Sequence, residues 1–361
     1  MDAAAMDLLK FPAFDTRQLR YFLAIVEAGS FSKAALILNV AQPALSQTIK
    51  DMEAELGLDL LVRLPRGVAP TEAGKMLALD ARTVLTQIRI ARERLQDEGA
   101  APSGAVGLGV PSSISQLITI PMVQSVLASF PKISFRMSEA MSTNLVDWVL
   151  EGRVDLGIVF SNMGRKGLRT RPVLREELVL VGSTGPASPE PGEEFSFPRL
   201  SQMNFVLPGS AFGIRKLIDA VDSLGTASFN LVAEVDSLWH IKNLVRQGVG
   251  FTILPKFAVQ EEVANGTLRV WPIRDPPIRR TVHIVTSSER PQTRAVEAVE
   301  NVLCALFYQL VQLGYWEAEL TSELLESHAN FAPYIPAAIS RDLDACREYP
   351  MTLGTIGAGP G

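Results

Sequence analysis

The chain has 361 residues, of which 47% are hydrophobic and 20% are charged, and its formal net charge is −5. This length and composition predict a globular protein of two or three domains with sizeable cores. No apolar run reaches the length of a membrane span, and residues 1–14 lack the basic start and continuous apolar core of a secretory signal. The two cysteines, Cys304 and Cys346, are too few for a disulfide framework, so we expect a cytoplasmic protein.

The negative charge is concentrated at the carboxyl end of the chain. Residues 311–361 contain seven acidic side chains and two basic ones, and the rest of the chain is balanced. Residues 17–50 contain four basic side chains and one acidic one. Affinity for nucleic acid needs a local basic face rather than a basic protein. The net charge therefore does not exclude DNA as a partner.

Two short helical patterns open the chain. Leu19, Phe22 and Val26 recur at helical spacing and predict a helix that ends at Gly29. The second helix is predicted to begin near Ser32 and to end at a tight turn.

A third helical pattern follows that turn. Pro43 suits the first position of a helix, where its missing N–H would have no partner, so Gln42 is expected just before the helix. A helix that is buried on one side, with amide, hydroxyl and amine groups on the other, suits the major groove of DNA. The alternative is an ordinary helical bundle whose polar face is solvated. The predicted buried stripe is Leu45, Ile49, Met52 and Leu56, and the predicted exposed face is Ser46, Gln47 and Lys50.

A two-stranded wing is predicted from residues 60–63 and 67–69, with Arg63 and Arg66 near its tip. Arginines at such a tip would contact phosphate or the adjacent minor groove. A solvated arginine is the alternative for each residue taken singly.

A long helix is predicted to begin at Thr71, which is a good cap, and to extend to residue 98. About 25 residues at 1.5 Å each span about 37 Å, close to one turn of DNA. We expect the apolar seam of this helix to dimerise the chain, and packing against the chain's own domain is the alternative. The seam alternates four- and three-residue steps through Leu77, Ala81, Val84, Ile88, Ala91 and Leu95.

Strand and helix patterns alternate from Ala105 onward, which predicts α/β units on a mostly parallel sheet. A first lobe is left and later re-entered, which predicts two lobes joined by two crossing segments. Predicted lobe I comprises residues 104–168 and 278–310, and predicted lobe II comprises residues 169–277. The predicted strands are 106–110, 133–137, 154–160, 177–182, 205–207, 230–234, 250–254 and 281–285. The predicted helices are 115–130, 144–150, 213–224, 237–247, 256–264 and 294–312.

Several motifs occur in a fixed order over the first 80 residues: Arg20-Tyr21-Phe22, Glu27 to Ala35, Gln42-Pro43-Ala44-Leu45-Ser46, Leu56-Gly57, Arg66-Gly67 and Pro70-Thr71-Glu72-Ala73-Gly74. In this order and spacing they resemble the amino-terminal domain of LysR-type transcriptional regulators. The sequences of residues 40–46 and 66–74 are most similar to those of the nitrogen-assimilation-control subgroup of that family.

The resemblance implies three domains. They are a winged helix-turn-helix DNA-binding domain over residues 15–73, a linker and dimerisation helix over 71–98, and a two-lobed, periplasmic-binding-protein-like, effector-binding regulatory domain over 104–310. Dimers that associate into a tetramer through their regulatory domains are usual in the family. The expected partners are therefore promoter half-sites in double-stranded DNA, further copies of the chain and RNA polymerase.

The helix pattern and the resemblance together predict the DNA-binding side chains. Gln42, Pro43 and Ser46 match positions that read bases in the family, whereas Gln47 occupies a position where relatives often carry arginine. The predicted DNA-binding residues are Ser32, Lys33, Gln42, Pro43, Ala44, Ser46, Gln47, Lys50, Arg63 and Arg66.

A small-molecule site is predicted where strands end, because ligands of open α/β sheets collect beyond the carboxyl ends of strands, near helix amino termini. A small carboxylate is the expected effector, with Arg215 opposite two serines. The alternatives are serines that are plain helix caps, an arginine paired with Asp219 and, as in some family members, no effector at all. The predicted effector-binding residues are Ser112, Ser113, Phe160, Ser161, Pro208, Ser210, Arg215, Phe251 and Thr252.

The sequence thus predicts a sequence-specific DNA-binding transcription regulator that a small molecule modulates. No catalytic residue, cofactor or metal is predicted, because the three histidines lack metal-ligand spacing and the common nucleophile, zinc-protease and phosphate-loop motifs are absent from the sequence. The alternative function is a solute-binding or scaffold module whose helical amino terminus only dimerises it. Residues 311–361 are predicted to be a mostly mobile extension with a short helix over 315–325.

Overall fold

The computed structural model describes residues 15–65, 67–95, 101–160, 164–185, 188–209, 213–222 and 229–328. These residues belong to two units, Met1–Ala100 with Arg290–Thr293 and Ala101–Glu289 with Arg294–Gly361. Within the described ranges, no helix is long and apolar enough to cross a membrane.

Three helices begin the first unit: α1 (Thr16–Ala28), α2 (Phe31–Leu38) and α3 (Gln42–Leu56). Asp15 caps α1, since its Oδ1 accepts the Gln18 backbone N–H at 2.7 Å while Gln18 Oε1 accepts the Asp15 N–H at 2.8 Å, which is a capping box. Gly29 ends α1 in the left-handed conformation at φ 60°, which glycine adopts without a Cβ penalty. The helix therefore ends where the sequence predicts.

The starts of α2 and α3 correct two predictions. α2 begins one residue earlier than predicted, because the Ser30 side chain caps it. α3 also begins one residue earlier, with Ala41 as its N-cap and Gln42 as its first residue. Pro43 is therefore the second helical residue. At this position an N–H would have no partner within the helix, so its absence costs no hydrogen bond. As a result, Gln42 lies on the helix rather than before it.

The three helices enclose the core of the first unit. Phe22, Ile25, Leu45 and Met52 are completely buried in it. Three of the four residues predicted for the buried stripe of α3 lie in this core, but Leu56 is 40% exposed because the helix ends at that residue. Burial of one face fixes α3 and leaves the opposite face to solvent.

The predicted wing forms from β1 (Leu61–Leu64) and β2 (Gly67–Pro70), which pair antiparallel. Glu53 on α3 ties the wing to that helix, because its Oε1 accepts the backbone N–H groups of Leu60 at 2.9 Å and Leu61 at 3.1 Å. A displacement of α3 would therefore also move the wing.

Glycine is required at position 67. The residue has φ 119°, and a Cβ there would collide with the Gly29 carbonyl oxygen. This close approach lets the adjacent Val68 N–H donate to that same carbonyl at 3.0 Å. The wing is thereby held against the turn between α1 and α2.

A long helix, α4 (Glu72–Leu95), follows the wing. Thr71 caps it as predicted, because the Thr71 Oγ1 accepts the Gly74 N–H at 3.0 Å and donates to the Asp59 carbonyl at 2.7 Å. The predicted apolar seam divides along the helix. Ala81 is completely buried in the core of the first unit, whereas Val84 and Ile88 are 43% and 39% exposed. Among the large apolar side chains of the seam that the structure describes, Val84 and Ile88 are therefore the most available to a partner.

Strands and helices alternate in the second unit, as predicted. The strands are β3 (Gly104–Val110), β4 (Ile133–Glu139), β5 (Leu156–Val159), β6 (Leu168–Ser183), β7 (Phe195–Ser196), β8 (Asn204–Leu207), β9 (Asn230–Glu234), β10 (Thr252–Pro255), β11 (Leu268–Arg274), β12 (Arg279–Ser287) and β13 (Ala318–Leu320). The helices are α5 (Ser112–Ser129), α6 (Ser142–Leu150), α7 (Phe197–Leu200), α8 (Gly213–Asp222), α9 (Leu238–Arg246), α10 (Gln260–Ala264, after a 3₁₀ turn at Lys256–Val259), α11 (Arg294–Gln312) and α12 (Ser322–His328).

One long strand, β6, serves both lobes of this unit. It pairs with β12 along residues 168–177 and with β10 and β11 along residues 178–183, so the strand predicted at 177–182 covers only its second part. β3 pairs in parallel with β4 and β5, but β10, β11, β12 and β13 all pair antiparallel with β6. The expectation of a mostly parallel sheet is therefore wrong at the centre, because β6 and β12 cross between the lobes in opposite directions.

Each lobe has its own core. In lobe I, α5 and α11 pack on β3, β5 and β12. The core of lobe II surrounds Trp271 on β11, a strand that the sequence pattern did not predict. Trp271 is completely buried, and its Nε1 donates to the Glu190 carbonyl at 2.9 Å.

The first part of the predicted mobile extension, residues 313–328, is folded. Tyr315 and Trp316 are 6% and 1% exposed, and Leu324 is completely buried. The helix predicted over residues 315–325 is instead a strand, β13, followed by α12. Because these side chains complete the lobe I core, the segment belongs to the fold. Residues 329–361, the rest of the predicted extension, lie outside the described residues.

Candidate DNA interface and effector pocket

The exposed face of α3 carries the side chains predicted to read DNA. Its buried face holds Leu45, Ile49 and Met52 in the core of the first unit, so the exposed face has one fixed orientation in that unit. Ser46 is half-buried, and the other predicted side chains of this helix are exposed: Gln42, Pro43, Ala44, Gln47 and Lys50. Amide, hydroxyl and ammonium groups held in this way can reach base edges and phosphates.

Gln47 has a partner on its own helix. Its Nε2 donates to Asp51 Oδ1 at 2.8 Å, one turn later. This contact holds the amide on the helix surface. Gln47 must release Asp51 before its amide oxygen and its NH2 group can both bind an adenine edge. Asp51 also adds a negative charge behind the reading face, which opposes phosphate binding.

The remaining predicted DNA contacts lie on α2 and on the wing. Ser32 and Lys33 are exposed on α2, and Arg63 is exposed on β1. Arg66, predicted at the tip of the wing, lies outside the described residues.

A cavity of about 70 Å³ lies in the second unit, where strands and helix starts of both lobes meet. Four predicted effector residues line it: Ser112 and Ser113 at the start of α5, Phe160 after β5, and Pro208 after β8. Ser161 and Ser210 lie outside the described residues. The walls between these side chains are mainly apolar, and the other lining residues are Pro111, Ala140, Met141, Ser142, Gly213, Ile214, Asp236, Leu238, Ile241, Leu254, Pro255 and Arg280.

Phe251 and Thr252 are not among the residues that line the cavity, and their role as effector contacts stays a prediction. They stand at the start of β10, whereas the cavity is lined by the carboxyl end of that strand, Leu254 and Pro255. Phe251 instead packs edge-on against Trp271, with ring centroids 6.1 Å apart. Phe251 and Thr252 therefore lie at the end of β10 opposite to the residues that line the cavity.

Arg215 is likewise not among the residues that line the cavity. Its guanidinium is 3.6 Å from Glu234 Oε2 on β9, and α8 lines the cavity through Gly213 and Ile214. The side chain of Asp219, the alternative partner for this arginine, lies outside the described residues. The role of Arg215 as an effector contact stays a prediction.

Arg280 is the cation that lines the cavity. It lies on β12, directly opposite Glu176 on β6, and its Nε donates to Glu176 Oε1 at 2.6 Å. Its Nη2 donates to Ser113 Oγ at 3.3 Å, and its guanidinium carbon lies 3.6 Å from the centre of the Phe160 ring. Burial lowers the pKa of the Arg280 guanidinium, while the charge of Glu176 and its hydrogen bond oppose that shift.

Trp316 completes this network from the far side. Its Nε1 donates to Glu176 Oε2 at 2.7 Å, and its ring packs edge-on against Phe257 and Phe307. A hydrogen-bonded chain thus connects Ser113 at the cavity to the segment beyond α11.

Sequence reasoning missed Arg280 because its role depends on strand pairing. Glu176 and Arg280 are separated by 104 residues, and only the antiparallel register of β6 and β12 brings them together. The available signal was an arginine immediately before the predicted strand at 281–285. An arginine there would ordinarily be interpreted as solvated.

In the described part of the chain, no group of three or more histidine, cysteine or acidic side chains could hold a metal ion. The second unit offers hydrogen-bonding groups and an apolar cavity to a ligand.

Two family models match this chain. The model described as bacterial regulatory helix-turn-helix protein, lysR family, matches residues 16–75, and the LysR substrate binding domain model matches residues 99–305. These matches coincide with the helix-turn-helix and wing of the first unit and with both lobes of the second.

Similar proteins cover most of the chain. The nitrogen assimilation regulatory protein nac of Klebsiella aerogenes is 31% identical over 293 residues, 80% of this chain and 94% of its own length. The protein of the same name from Escherichia coli (strain K12) is 34% identical over 245 residues, 68% of this chain and 79% of its own length.

Among solved structures, a full-length OxyR variant from Pseudomonas aeruginosa has a similar fold, with a TM-score of 0.66 at 23% identity, covering 80% of this chain and 97% of that one. The family model that matches the second unit spans more than half of this chain. The chain belongs to the LysR family of bacterial regulatory helix-turn-helix proteins.

Proposed function

We propose that this protein regulates transcription by binding promoter half-sites through α3 and the wing, under the control of a small molecule bound in the second unit. The observation that carries the proposal is the exposed polar face of α3, a helix whose opposite face is anchored by the buried side chains of Leu45, Ile49 and Met52. Exposed Ser32, Lys33 and Arg63 would supply the phosphate contacts on either side of it. The domains follow the predicted boundaries, 15–73, 71–98 and 104–310, with the regulatory domain extended to include residues 315–325.

Assembly would use the exposed part of the α4 seam. Val84 and Ile88 are apolar, exposed and one turn apart, and a second copy of α4 would bury them. Contacts between regulatory domains would then join two dimers into a tetramer that spans two half-sites.

The effector would contact a revised set of residues. Ser112, Ser113, Phe160 and Pro208 remain from the sequence prediction, and Arg280 replaces Arg215 as the nearby cation. No catalytic role is assigned to this cavity, since its polar groups bind and orient but include no nucleophile paired with a base. A DNA target places the protein in the cytoplasm.

A binding experiment with the full-length protein tests this function. Fluorescence anisotropy would compare DNA from upstream of the protein's own gene with a shuffled duplex of the same length and composition. We expect at least tenfold tighter binding to the natural sequence, in line with the usual margin of specific over nonspecific binding. Equal affinity for both duplexes, or no binding to either, would favour the solute-binding or scaffold alternative.

A further inference from the structure

The charge of Arg280 is already balanced inside the protein. The Arg280 and Glu176 side chains are only 2% and 1% exposed and lie 2.6 Å apart. In such surroundings a carboxylate that loses its cation, or a cation that loses its carboxylate, is strongly unfavourable. The pair therefore presents the cavity with N–H groups but without a net positive charge.

Both oxygens of Glu176 are occupied. Oε1 accepts from Arg280, and Oε2 accepts from the Trp316 indole. If Glu176 turned away to admit another carboxylate, it would lose both hydrogen bonds, and no water would be present to replace them. Trp316 is itself held by Phe257 and Phe307, so the carboxylate has one position.

An incoming carboxylate would therefore share one guanidinium with Glu176. Two carboxylates at a single site repel each other, and one of them resists ionisation. Glu176 lies behind Arg280, whereas another acidic side chain, Asp236, lines the cavity itself and adds to the repulsion. Because Arg280 and Glu176 neutralise each other, only the partial positive charges at the amino termini of α5 and α8 remain to attract an anion, and each is about half an elementary charge.

The rest of the cavity suits a small molecule with an apolar part. Ile214, Leu238 and Ile241 form its wall in lobe II, and the Phe160 ring covers Arg280. Its volume of about 70 Å³ favours a small occupant. A carbonyl or hydroxyl oxygen can accept from Arg280 or Ser113 without adding charge.

We propose that this cavity selects small uncharged molecules carrying a hydrogen-bond acceptor, and that Glu176, positioned by Trp316, excludes carboxylates. This inference rests on the proposed effector function, and it names the ligand class and the residue that determines specificity. Glu176 acts here through its charge, and Trp316 acts through the position of Glu176.

Three ligands of similar shape and different charge test the inference: propionamide, propionate and propylammonium. Ligand-observed saturation-transfer NMR with the full-length protein, at constant ionic strength, measures the binding of each. We expect propionamide to bind with a preference of about tenfold or more over each ion, the ratio that corresponds to one pKa unit of charge interaction. Preferential binding of propionate or propylammonium overturns the inference, as does the absence of binding by all three.

The double variant Glu176→Gln with Trp316→Phe tests the specificity residue. It removes the resident negative charge together with the indole N–H that would otherwise lack an acceptor. Propionate should then bind and raise the melting temperature, while propionamide should not gain affinity. The single variant Trp316→Phe keeps the Glu176 carboxylate but removes its hydrogen bond to the indole. The preference for propionamide should therefore fall, and the protein should lose less stability than the double variant does. If both variants keep the wild-type preference, Glu176 does not determine it.

The two proposals fail in distinguishable ways. Binding of the natural DNA sequence together with a preference for propionate removes the ligand inference alone. Loss of sequence-specific DNA binding by the wild-type protein removes the proposed function, whatever the cavity binds. If the double variant does not fold, the comparison of the three ligands on the wild-type protein still decides the ligand class.

Discussion

The Trp316 indole donates to Glu176 Oε2 across 2.7 Å, and both side chains are buried. This bond joins the segment after α11 to the long strand that both lobes share. The domain therefore does not end with its last long helix. Residues 315–325 close one side of the lobe I core, and their removal would expose Phe257 and Phe307, which pack on the indole.

Trp316→Ala should lower the free energy of unfolding of the second unit by about 3–5 kcal/mol, the usual cost of truncating a buried tryptophan. Truncation after Leu313 should cost at least as much, because it also removes β13 and Leu324. Urea titrations followed by circular dichroism measure both effects. Leu325→Ala, at a residue that is 44% exposed on the same segment, is the control and should change stability by less than about 0.5 kcal/mol. An unchanged truncated protein would mean that the segment only rests on the core.

Gln47→Ala should weaken binding to the target site by roughly 1–3 kcal/mol at one base pair and leave binding to random DNA nearly unchanged. The physical reason is that a neutral amide contributes to base readout and little to phosphate attraction. Anisotropy titrations on target and shuffled duplexes measure the difference, with Gln202→Ala, an exposed amide in the second unit, as control.

The partner of Gln47 gives a second arm to this experiment. Asp51→Asn keeps a side chain of the same shape and removes one negative charge near DNA, so it should strengthen binding to both duplexes. A loss of affinity for both duplexes in Gln47→Ala would mean that the residue supports the helix instead of reading a base.

Local signals in the sequence predicted the first unit well and the cavity only in part. Gly29 and Gly57 end helices where a left-handed residue is needed, and the apolar spacing of α3 identifies its buried face. Such signals depend on neighbours a few residues away. Leu56 fails the pattern because burial at a helix end depends on what packs there.

The cavity depends on the direction and pairing of distant strands. Ser112, Ser113, Phe160 and Pro208 were predictable because each follows a strand that ends at the cavity. Phe251 precedes β10, so it lies at the end of that strand opposite to the cavity. Arg280 and Trp316 both contact Glu176 on β6. The strand pairing that brings these distant residues together has no local signature in the sequence.

Replacing Val84 and Ile88 with aspartate should dissociate the dimer, because like charges would meet where apolar groups face each other. Sedimentation velocity should show a smaller species. The affinity for DNA with two half-sites should fall by about tenfold or more, because the two DNA-binding domains are no longer linked. The control is Met76→Asp, since Met76 is 69% exposed on the same helix but points about 80–120° away from the seam. An unchanged oligomer in the double variant would assign the seam to packing within one chain.

Cys304 should resist alkylation in the folded protein. Burial raises the pKa of its thiol to about 12, and only the thiolate is a good nucleophile. In the variant Cys346→Ser, where Cys304 is the remaining cysteine, iodoacetamide at pH 8 should leave the native protein unlabelled over hours and label it within minutes in guanidinium chloride. Mass spectrometry measures both. Rapid labelling without denaturant would mean that the lobe I core opens readily.

His283 should make the second unit less stable as the pH falls. It is 8% exposed on β12, and burial lowers its pKa from the ordinary value of 6.5, with the nearby charge of Glu323 acting in the opposite direction. Well above pH 6.5, the histidine is neutral in both the folded and the unfolded chain and contributes no pH dependence. Below it, the unfolded chain takes up the proton first, so stability decreases until the pH reaches the lower pKa of the folded state. His283→Gln should therefore flatten the melting temperature between pH 7.5 and 5.5, whereas His240→Gln, at an exposed position on α9, should keep the wild-type slope. If His283→Gln keeps that slope as well, other groups carry the pH dependence.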